Sequence, residues 1–468
     1  MGKIACLPTA RPWTRGEAMK VLKPLLQRLE DEPAAFSGSD RYLIGKLKEE
    51  FGQPVWDDKR RTSADKTALS FSDGGKHIGL DLSLIEKGVL PREGKRSAES
   101  EVVLEALGAY KKSFAFDEQI TFAHTGGFSR VDSIVVLPRG LSQTWRGGWI
   151  SVDRAYFRAR FPWIEVEAGR DNLWWGPGRY GTLLLSDNMP LDALSLSASF
   201  GIARMNYFHA TLSANQGHYL AGHRLSLSLP RRTQVGFSET VLYAARNPEP
   251  TYLNPLIPYY AAQHLRGVED NILWNFELET VPVSGIKLYG ELLMDDYQYE
   301  HDPPAPNKLG YLAGIYLVNP FGLPNLDLKG EYARINRWVY THIDSNNTYV
   351  YGRHPLGHWL GPDADDFWAS LTFRPYPRWT LEGIYELERH GEGRGLAVGW
   401  HPGDDPATRA LSGVVEKAQK PALRIAYEPT WWLNVSVEDR YRDVKNLGNV
   451  ANLSSSQNEL EGKLRLNF

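Results

Sequence analysis

From about residue 65 to the last position, apolar and polar residues alternate with a period of two, the spacing of strands with two unlike faces. The final segment shows it most plainly. Leu460, Gly462, Leu464, Leu466 and Phe468 fall on one face, and Glu461, Lys463, Arg465 and Asn467 on the other. Upstream, Ile272, Trp274, Phe276 and Leu278 alternate with Leu273, Asn275, Glu277 and Glu279. Leu326, Leu328, Gly330 and Tyr332 alternate with Asp327, Lys329 and Glu331. A face this rich in charge must meet water or paired charges, which a wet lumen provides. The first 64 residues differ. Thr14 and Glu17 form a capping box ahead of Ala18, Val21, Leu22, Leu25, Leu26 and Leu29, which predicts a helix over 14–31 with a kink or break at Pro24. A second helix is expected from Ser39 to Phe51, burying Leu43, Ile44, Leu47 and Phe51, with Gly52 as its stop. Both apolar stripes read as mutual packing surfaces.

The connections give a second signal. Counted back from Phe468, short ones fall near Pro429, Pro375–Arg378, Pro320–Pro324, Pro282–Gly285, Pro230–Thr233, Gly201 and His124–Gly127. Long ones fall near 442–456, 390–413, 335–365, 294–309, 244–270, 214–221 and 171–192. Alternation of short and long places every long loop on one side, as in outer-membrane barrels, whose periplasmic turns are short. The count is about 18 strands from residue 100 onward. An alternating pair near Thr67–Ser72 and His77–Leu84 widens the range to 16–20. The expected fold is all-β: a transmembrane antiparallel β-barrel over 65–468, with a small helical segment, 1–64, on the periplasmic side.

Composition agrees and excludes alternatives. No stretch approaches the roughly 18 apolar residues of a membrane-spanning helix, whereas barrel strands stay polar on average. The 15 Trp and 23 Tyr suit interfacial girdles, though an aromatic-rich soluble sandwich would share them. A net charge of -3, from 53 basic and 56 acidic residues, offers no field for nucleic acid. Cys6 is the one cysteine, so a disulfide framework or a cysteine zinc site within one chain is excluded. Met1–Pro8 lacks the apolar core of a secretory leader. Since an outer-membrane protein must be exported, the expectation is a chain that starts at or near its mature N-terminus.

The most informative segment is Asp171–Asp192, DNLWWGPGRYGTLLLSDNMPLD. Its glycines, Gly176, Gly178 and Gly181, have the G-x-G-x-x-G spacing of a dinucleotide-binding turn, but that turn must open a helix. Here Pro177 interrupts it and Thr182-Leu-Leu-Leu-Ser follows. Two further segments stand out: Glu239–Tyr260, ETVLYAARNPEPTYLNPLIPYY, and Glu331–Phe367, EYARINRWVYTHIDSNNTYVYGRHPLGHWLGPDADDF. In wording, order and spacing the three resemble the Wzi family of capsule-assembly proteins, and the helical start and terminal Phe extend the likeness over nearly the whole chain. The resemblance implies a non-enzymatic outer-membrane protein that holds capsular or related exopolysaccharide at the cell surface in a lectin-like manner. The other implied partners are outer-membrane lipid and, during biogenesis, the barrel-assembly machinery that recognises the terminal Phe. No cofactor or nucleic acid is implied, and oligomeric state stays open.

Sugars are held by aromatic faces against C–H patches and by planar polar groups against hydroxyls. The candidate residues are Trp174, Trp175, Arg179, Asn188, Glu239, Arg246, Tyr252, Asn254, Glu331, Asn336, Arg337, Trp338, His354 and His358, with Tyr259 and Tyr340 in the same loops. The competing reading is structural: aromatics form the belt, and Arg pairs with Glu239 and Glu331 to fold the loops inward. Catalytic templates are weak. H-E-x-x-H and G-x-S-x-G are absent from the sequence, and Ser284-Gly-Ile-Lys287 falls at a periplasmic turn. Asp363, Asp365 and Asp366 lack the glycine and distant glutamate of an EF-hand loop. Glu277, Glu279, Glu382 and Glu386 could pair as glycosidase carboxylates, but fit ion-pair ladders better. The alternative function is an outer-membrane porin or polysaccharide channel. Buried-looking Leu183, Leu184 and Leu185 argue instead for an occluded lumen.

Overall fold

Two glycines with positive φ, Gly74 (54°) and Gly75 (79°), make the tight turn that joins Leu69–Asp73 to the first barrel strand. The computed structural model describes residues 7–51, 68–92, 96–111, 113–126, 142–145, 148–297, 305–352, 354–393, 395–397, 399–408 and 411–468. Among them, eighteen antiparallel strands close into a barrel. They are β1 (Lys76–Pro91), β2 (Ser97–Tyr110), β3 (Phe114–Gly126), β4 (Gly148–Arg160), β5 (Ile164–Asp171) and β6 (Leu191–Phe200). Next come β7 (Ala203–Ser213), β8 (His218–Leu229), β9 (Thr233–Tyr243), β10 (Asn271–Val283), β11 (Ile286–Asp296) and β12 (Lys308–Val318). The ring ends with β13 (Leu326–Ile335), β14 (Ala364–Phe373), β15 (Trp379–His390), β16 (Glu416–Gln419 and Ala422–Thr430), β17 (Leu433–Lys445) and β18 (Ser454–Asn467). The seam pairs β18 with β1, from Asn467 against Ser83 to Glu459 against Pro91. The Phe468 N–H donates to Leu82 O at its end.

The expected alternation of connections holds from residue 171 to the C-terminus and slips before it. His124–Gly127 is no short turn, because β3 ends at Gly126 on the long-loop side. The short turns there are at 111–113 and 161–163. Lys111-Lys112-Ser113 carries neither the Pro nor the Gly of the other short turns, whereas Phe161-Pro162-Trp163 carries a Pro that the count passed over. The count of eighteen is accordingly reached from Lys76 and not from residue 100, with the alternating stretch near His77–Leu84 part of the first barrel strand.

Strand parity sorts the walls as expected. On β10, Leu273, Asn275, Glu277 and Glu279 are buried inside, while Phe276 and Leu278 are exposed outside. On β13, Asp327, Lys329, Glu331, Ala333 and Ile335 face in. Exposed aromatics such as Trp163, Phe321, Tyr376, Trp379, Trp431 and Trp432 ring the short-turn end, at the height of a membrane interface.

Helices α1 (Arg15–Asp31) and α2 (Gly38–Phe51) lie across the short-turn end. The capping box forms as expected: Thr14 N–H donates to Glu17 Oε2 (2.9 Å), and Glu17 N–H to Thr14 Oγ1 (3.2 Å). Pro24 does not break α1, which continues through it at the cost of one backbone hydrogen bond. The stripes are less buried than their pattern suggests. Leu22 and Ile44 are buried, but Leu43 and Leu47 stay over a third exposed. The pair is instead tied to barrel turns by polar contacts: Glu17 to Arg204, Ser37 to Asn325 (2.5 Å), Ser39 to Arg374 O (3.1 Å) and Lys46 to Glu428 (2.5 Å).

Candidate functional site

The lumen is divided. Next to β7–β14 it is filled by an apolar core that a water-lined barrel would lack: Leu183, Leu184 and Leu185 are fully buried against Phe208, Leu220, Leu242, Leu293 and Tyr340. Burying three leucines stabilises the inward loop by about 1.5–3 kcal/mol for each side chain. The N-terminal segment shares this space. Ala10 and Arg11 form a two-residue ladder with Trp175 and Trp174, Thr9 Oγ1 donates to Glu277 (3.0 Å), and Gln234 Nε2 donates to Leu7 O (2.8 Å).

Lumen carboxylates hold the inward loop by its backbone. Glu331 accepts from the N–H groups of Arg179 (2.6 Å) and Tyr180 (2.9 Å) and from the Tyr289 hydroxyl (2.8 Å). Glu291 accepts from Gly178 N–H (3.1 Å), Leu183 N–H (2.9 Å) and Asn275 Nδ2 (3.3 Å). The glycine triplet is explained by this closeness. A Cβ on Gly176 would sit 2.5 Å from Glu291 Oε1, one on Gly178 1.9 Å from Gly181 O, and one on Gly181 2.5 Å from the His358 ring. His358 is fully buried, and burial pushes its pKa down to about 3.

Beside this plug, towards β15–β17, a cleft of about 460 Å³ remains. Tyr180 stands in it, stacked on Trp368 (centroids 5.4 Å, 13° between planes) and edge-on to Trp359 (5.6 Å, 85°). The Tyr180 hydroxyl donates to Glu386 (3.0 Å), and the Trp359 indole N–H to Tyr180 O (3.0 Å). The facing wall alternates charges: Lys420 pairs with Glu386 (2.5 Å) and Glu388, Arg424 with Glu382 (3.2 Å) and Glu438 (2.5 Å), and Arg440 with Glu438. The cleft shares Arg424 and Glu438 with a lower space of about 510 Å³, which reaches Lys46 of α2. That space shares Lys463 and Arg465 with a third, of about 600 Å³, along β1–β4.

The fourteen candidate residues do not converge on one place. Asn188 lines the cleft and also donates to Pro355 O (2.8 Å) and Gly357 O (2.7 Å). Trp174 lines it too, with the Arg11 guanidinium 5.0 Å above its ring. Arg179 keeps its side chain exposed, whereas Trp175 and His358 are interior packing. Asn336 and Trp338 are buried in the loop after β13, Arg337 lies over the Trp338 ring (4.4 Å), and His354 sits in a two-residue ladder with Tyr351. Glu331 is the clamp described above.

Glu239, Arg246, Tyr252 and Asn254 belong elsewhere. On β9, Glu239 shares the outward face with Val235, Phe237, Val241 and Tyr243, so the expected inward fold of its loop is corrected: 244–270 folds back over the outer wall. There Glu239 accepts from the N–H groups of Tyr259 (2.7 Å) and Tyr260 (2.9 Å), from the Trp274 indole (2.9 Å) and from His223 (3.0 Å). Buried Tyr252 donates to Asp270 (2.6 Å), which also pairs with Arg246 (2.5 Å), and Asn254 accepts from Leu256 N–H (3.0 Å). Sequence reasoning missed Tyr180, Trp359, Trp368, Lys420, Arg424 and Arg440. The available signal was parity: Trp368 falls on the polar face of β14 with Asp366, Ser370 and Thr372.

Most of the carboxylates with catalytic or metal potential are engaged, whereas Asp366 keeps a buried Oδ1 without a hydrogen-bond partner. Glu277 pairs with Arg224, and Glu279 with Lys287 (2.6 Å). Asp363 accepts from Gly393 N–H (2.9 Å) and Ser412 N–H (3.2 Å), and Asp365 pairs with Arg389 (2.7 Å).

A closed antiparallel barrel with an apolar outer belt, aromatic girdle, charged inner wall and inward-packed loops is an outer-membrane β-barrel, here with a plugged half. Residues 92–457 match the family described as Capsule assembly protein Wzi, and the chain belongs to that family. Among solved structures, it resembles the Wzi of Escherichia coli, an outer-membrane protein involved in group 1 capsule assembly and described as a carbohydrate-binding β-barrel. The TM-score is 0.62 at 13% identity, covering 99% of this chain and 94% of that one. OccAB2 of Acinetobacter baumannii follows the barrel at TM-score 0.50 and 9% identity, over 84% of this chain and 98% of that one. No curated protein sequence matches.

Proposed function

We propose that this chain binds capsular or related exopolysaccharide and helps to anchor or organise it at the cell surface, as a holder and not a catalyst. The observation that carries the reading is the cleft in which Tyr180, Trp359 and Trp368 face Lys420, Arg424 and Arg440. Stacked rings supply flat apolar faces for pyranose C–H patches, and the ion-paired wall supplies donors and acceptors for hydroxyls without an uncompensated charge. Repetition of such weak contacts along a polymer would add through multivalency. Of the sequence candidates, Asn188 and Trp174 are retained as sugar contacts. Lipid around the belt and the assembly machinery at Phe468 complete the proposed partners, and the helical segment is proposed to face the periplasm.

The reading is tested by titrating purified protein with oligosaccharides from the host's own polymer, following tryptophan fluorescence. Saturable binding weakened tenfold or more by Trp368→Ala supports it, and unaltered binding in that variant removes the cleft from consideration. In cells lacking the gene, polymer should shift from cell-bound to free at constant total synthesis. A second reading, slow solute passage, rests on the open volume along β16–β18 and β1–β4. Steady single-channel conductance of the unaltered protein would favour it.

A further inference from the structure

We propose that the outward-folded loop over β8–β10 is a lipid-contacting anchor: helix α3 (Tyr259–Arg266) and the turn before it rest on the outer leaflet, with Leu256 and Leu265 immersed in it. The proposal rests on the outer-membrane location and is independent of the polysaccharide reading.

Position is the first support. Trp274, which bonds to Glu239 beneath the loop, lies on the outward face of β10 two residues from Phe276. Two residues of strand span about 7 Å, so α3 sits directly on the extracellular edge of the apolar belt. Tyr260 of α3 contacts Trp274 (5.3 Å, 65°), and Phe237 beside it contacts both Trp274 and Phe276. The loop and the belt therefore form one continuous apolar surface.

Composition is the second. Over the sixteen residues 251–266, TYLNPLIPYYAAQHLR, Arg266 is the one formally charged side chain, and it pairs with Glu249. The inner face of this segment is already used: Tyr252, Tyr259 and Ala262 pack with Tyr219, Val241 and Tyr243. What remains outside is a group of large apolar side chains beside exposed Asn254, His264 and Arg266. Leu265 is 89% exposed and Leu256 74% exposed, with Leu253 and Tyr260 also exposed. A short helix with tyrosine and leucine on its free side, at belt height, has the chemistry of an interfacial segment. Large exposed apolar residues grouped in one place mark an interaction surface.

The polar network beneath explains how a loop can lie on the lipid side at all. Glu239, His223 and Asp270 on the outer wall would be intolerable against hydrocarbon; the loop supplies backbone N–H groups to Glu239 and the Tyr252 hydroxyl to Asp270, and lays the Tyr259 ring over His223, which bonds to Glu239. The loop thus covers that polar wall and turns Leu253, Leu256, Tyr260 and Leu265 outward.

The test places nitroxide labels at Leu265→Cys and Leu256→Cys in full-length protein carrying Cys6→Ser, reconstituted in phospholipid vesicles. A control label goes at Val450→Cys, an exposed position in the 446–453 loop. Heat-dependent gel migration confirms that each labelled barrel is folded. Oxygen, which concentrates in lipid, should relax the labels at 265 and 256 several-fold more than a water-soluble nickel chelate does, with the order reversed at 450. Nickel accessibility at 265 and 256 equal to that at 450 would overturn the proposal. Protection from both reagents would also overturn it, because it would show the patch covered by protein.

Discussion

Two long-side loops of this barrel are fastened by the same device and end in opposite places. In the 172–190 loop, Glu331 takes the consecutive N–H groups of Arg179 and Tyr180; in the 244–270 loop, Glu239 takes those of Tyr259 and Tyr260. Each carboxylate also holds an aromatic donor, Tyr289 in one case and Trp274 in the other. The difference lies in strand parity. Glu331 falls on the charged inward face of β13, so its loop enters the lumen and builds the plug and cleft. Glu239 falls on the apolar outward face of β9, so its loop lies over the outer wall. In a strand with period two, moving such a clamp by one position exchanges inside for outside.

The sharpest way to break this comparison is to remove the clamps. Glu291→Ala with Glu331→Ala leaves four backbone N–H groups without acceptors, and the two on Glu291 are buried, at about 1–3 kcal/mol each. The inward loop should detach, and planar-bilayer recordings should show a stable conductance well above that of the parent protein. Glu239→Ala should leave conductance unchanged and make 244–270 sensitive to protease. A conductance change in both variants, or in neither, would end the parity explanation.

His358 tests the inward loop through pH. Its pKa is depressed to about 3 in the folded state by burial alone, below the ordinary histidine value of about 6.5. The unfolded chain then binds the proton first. The stability this group contributes is present above pH 6.5 and is lost as pH falls towards 3. Denaturant midpoints should drop between pH 7 and pH 5, and His358→Phe should flatten that slope. An unchanged slope would show that other groups govern the acid response.

Gly181→Val is a smaller perturbation. Its Cβ would lie 2.5 Å from the His358 ring, so the turn must shift, at about 1–3 kcal/mol. Thermal melting should move down while protease resistance of 244–270 stays as in the parent. The smallest effect is expected on the outer loop from Arg246→Met. Its partly exposed pair with Asp270 contributes about 0.5–1 kcal/mol. Cleavage within 244–270 should accelerate by a few-fold, with oligosaccharide binding unaltered.

Much of the barrel was legible from the chain. Period-two alternation placed the lumenal faces of β10, β13 and β18, and loop parity fixed the long-loop side from residue 171 onward. It failed at Lys111–Ser113, where the turn carries neither proline nor glycine, and at Phe161–Trp163, whose proline it passed over. The outward position of Glu239 was also written in Val235, Phe237, Val241 and Tyr243, a carboxylate on an otherwise apolar face. The resemblance to capsule-assembly proteins drew attention to the right loops without saying that they part company.

What the sequence determined by itself is therefore local and periodic: strands, their faces, the capped first helix, and the family. The tertiary structure alone decided that Pro24 stays within α1, that 7–13 threads the lumen beside Trp174 and Trp175, and that Tyr180 meets Trp359 and Trp368. Those contacts join residues more than 150 positions apart, and closure of eighteen strands brings them together. A strand's alternation reports which face a side chain takes. It carries no information about which distant loop will fill the space on that face, because that choice rests on volume and hydrogen-bond satisfaction summed over the whole lumen.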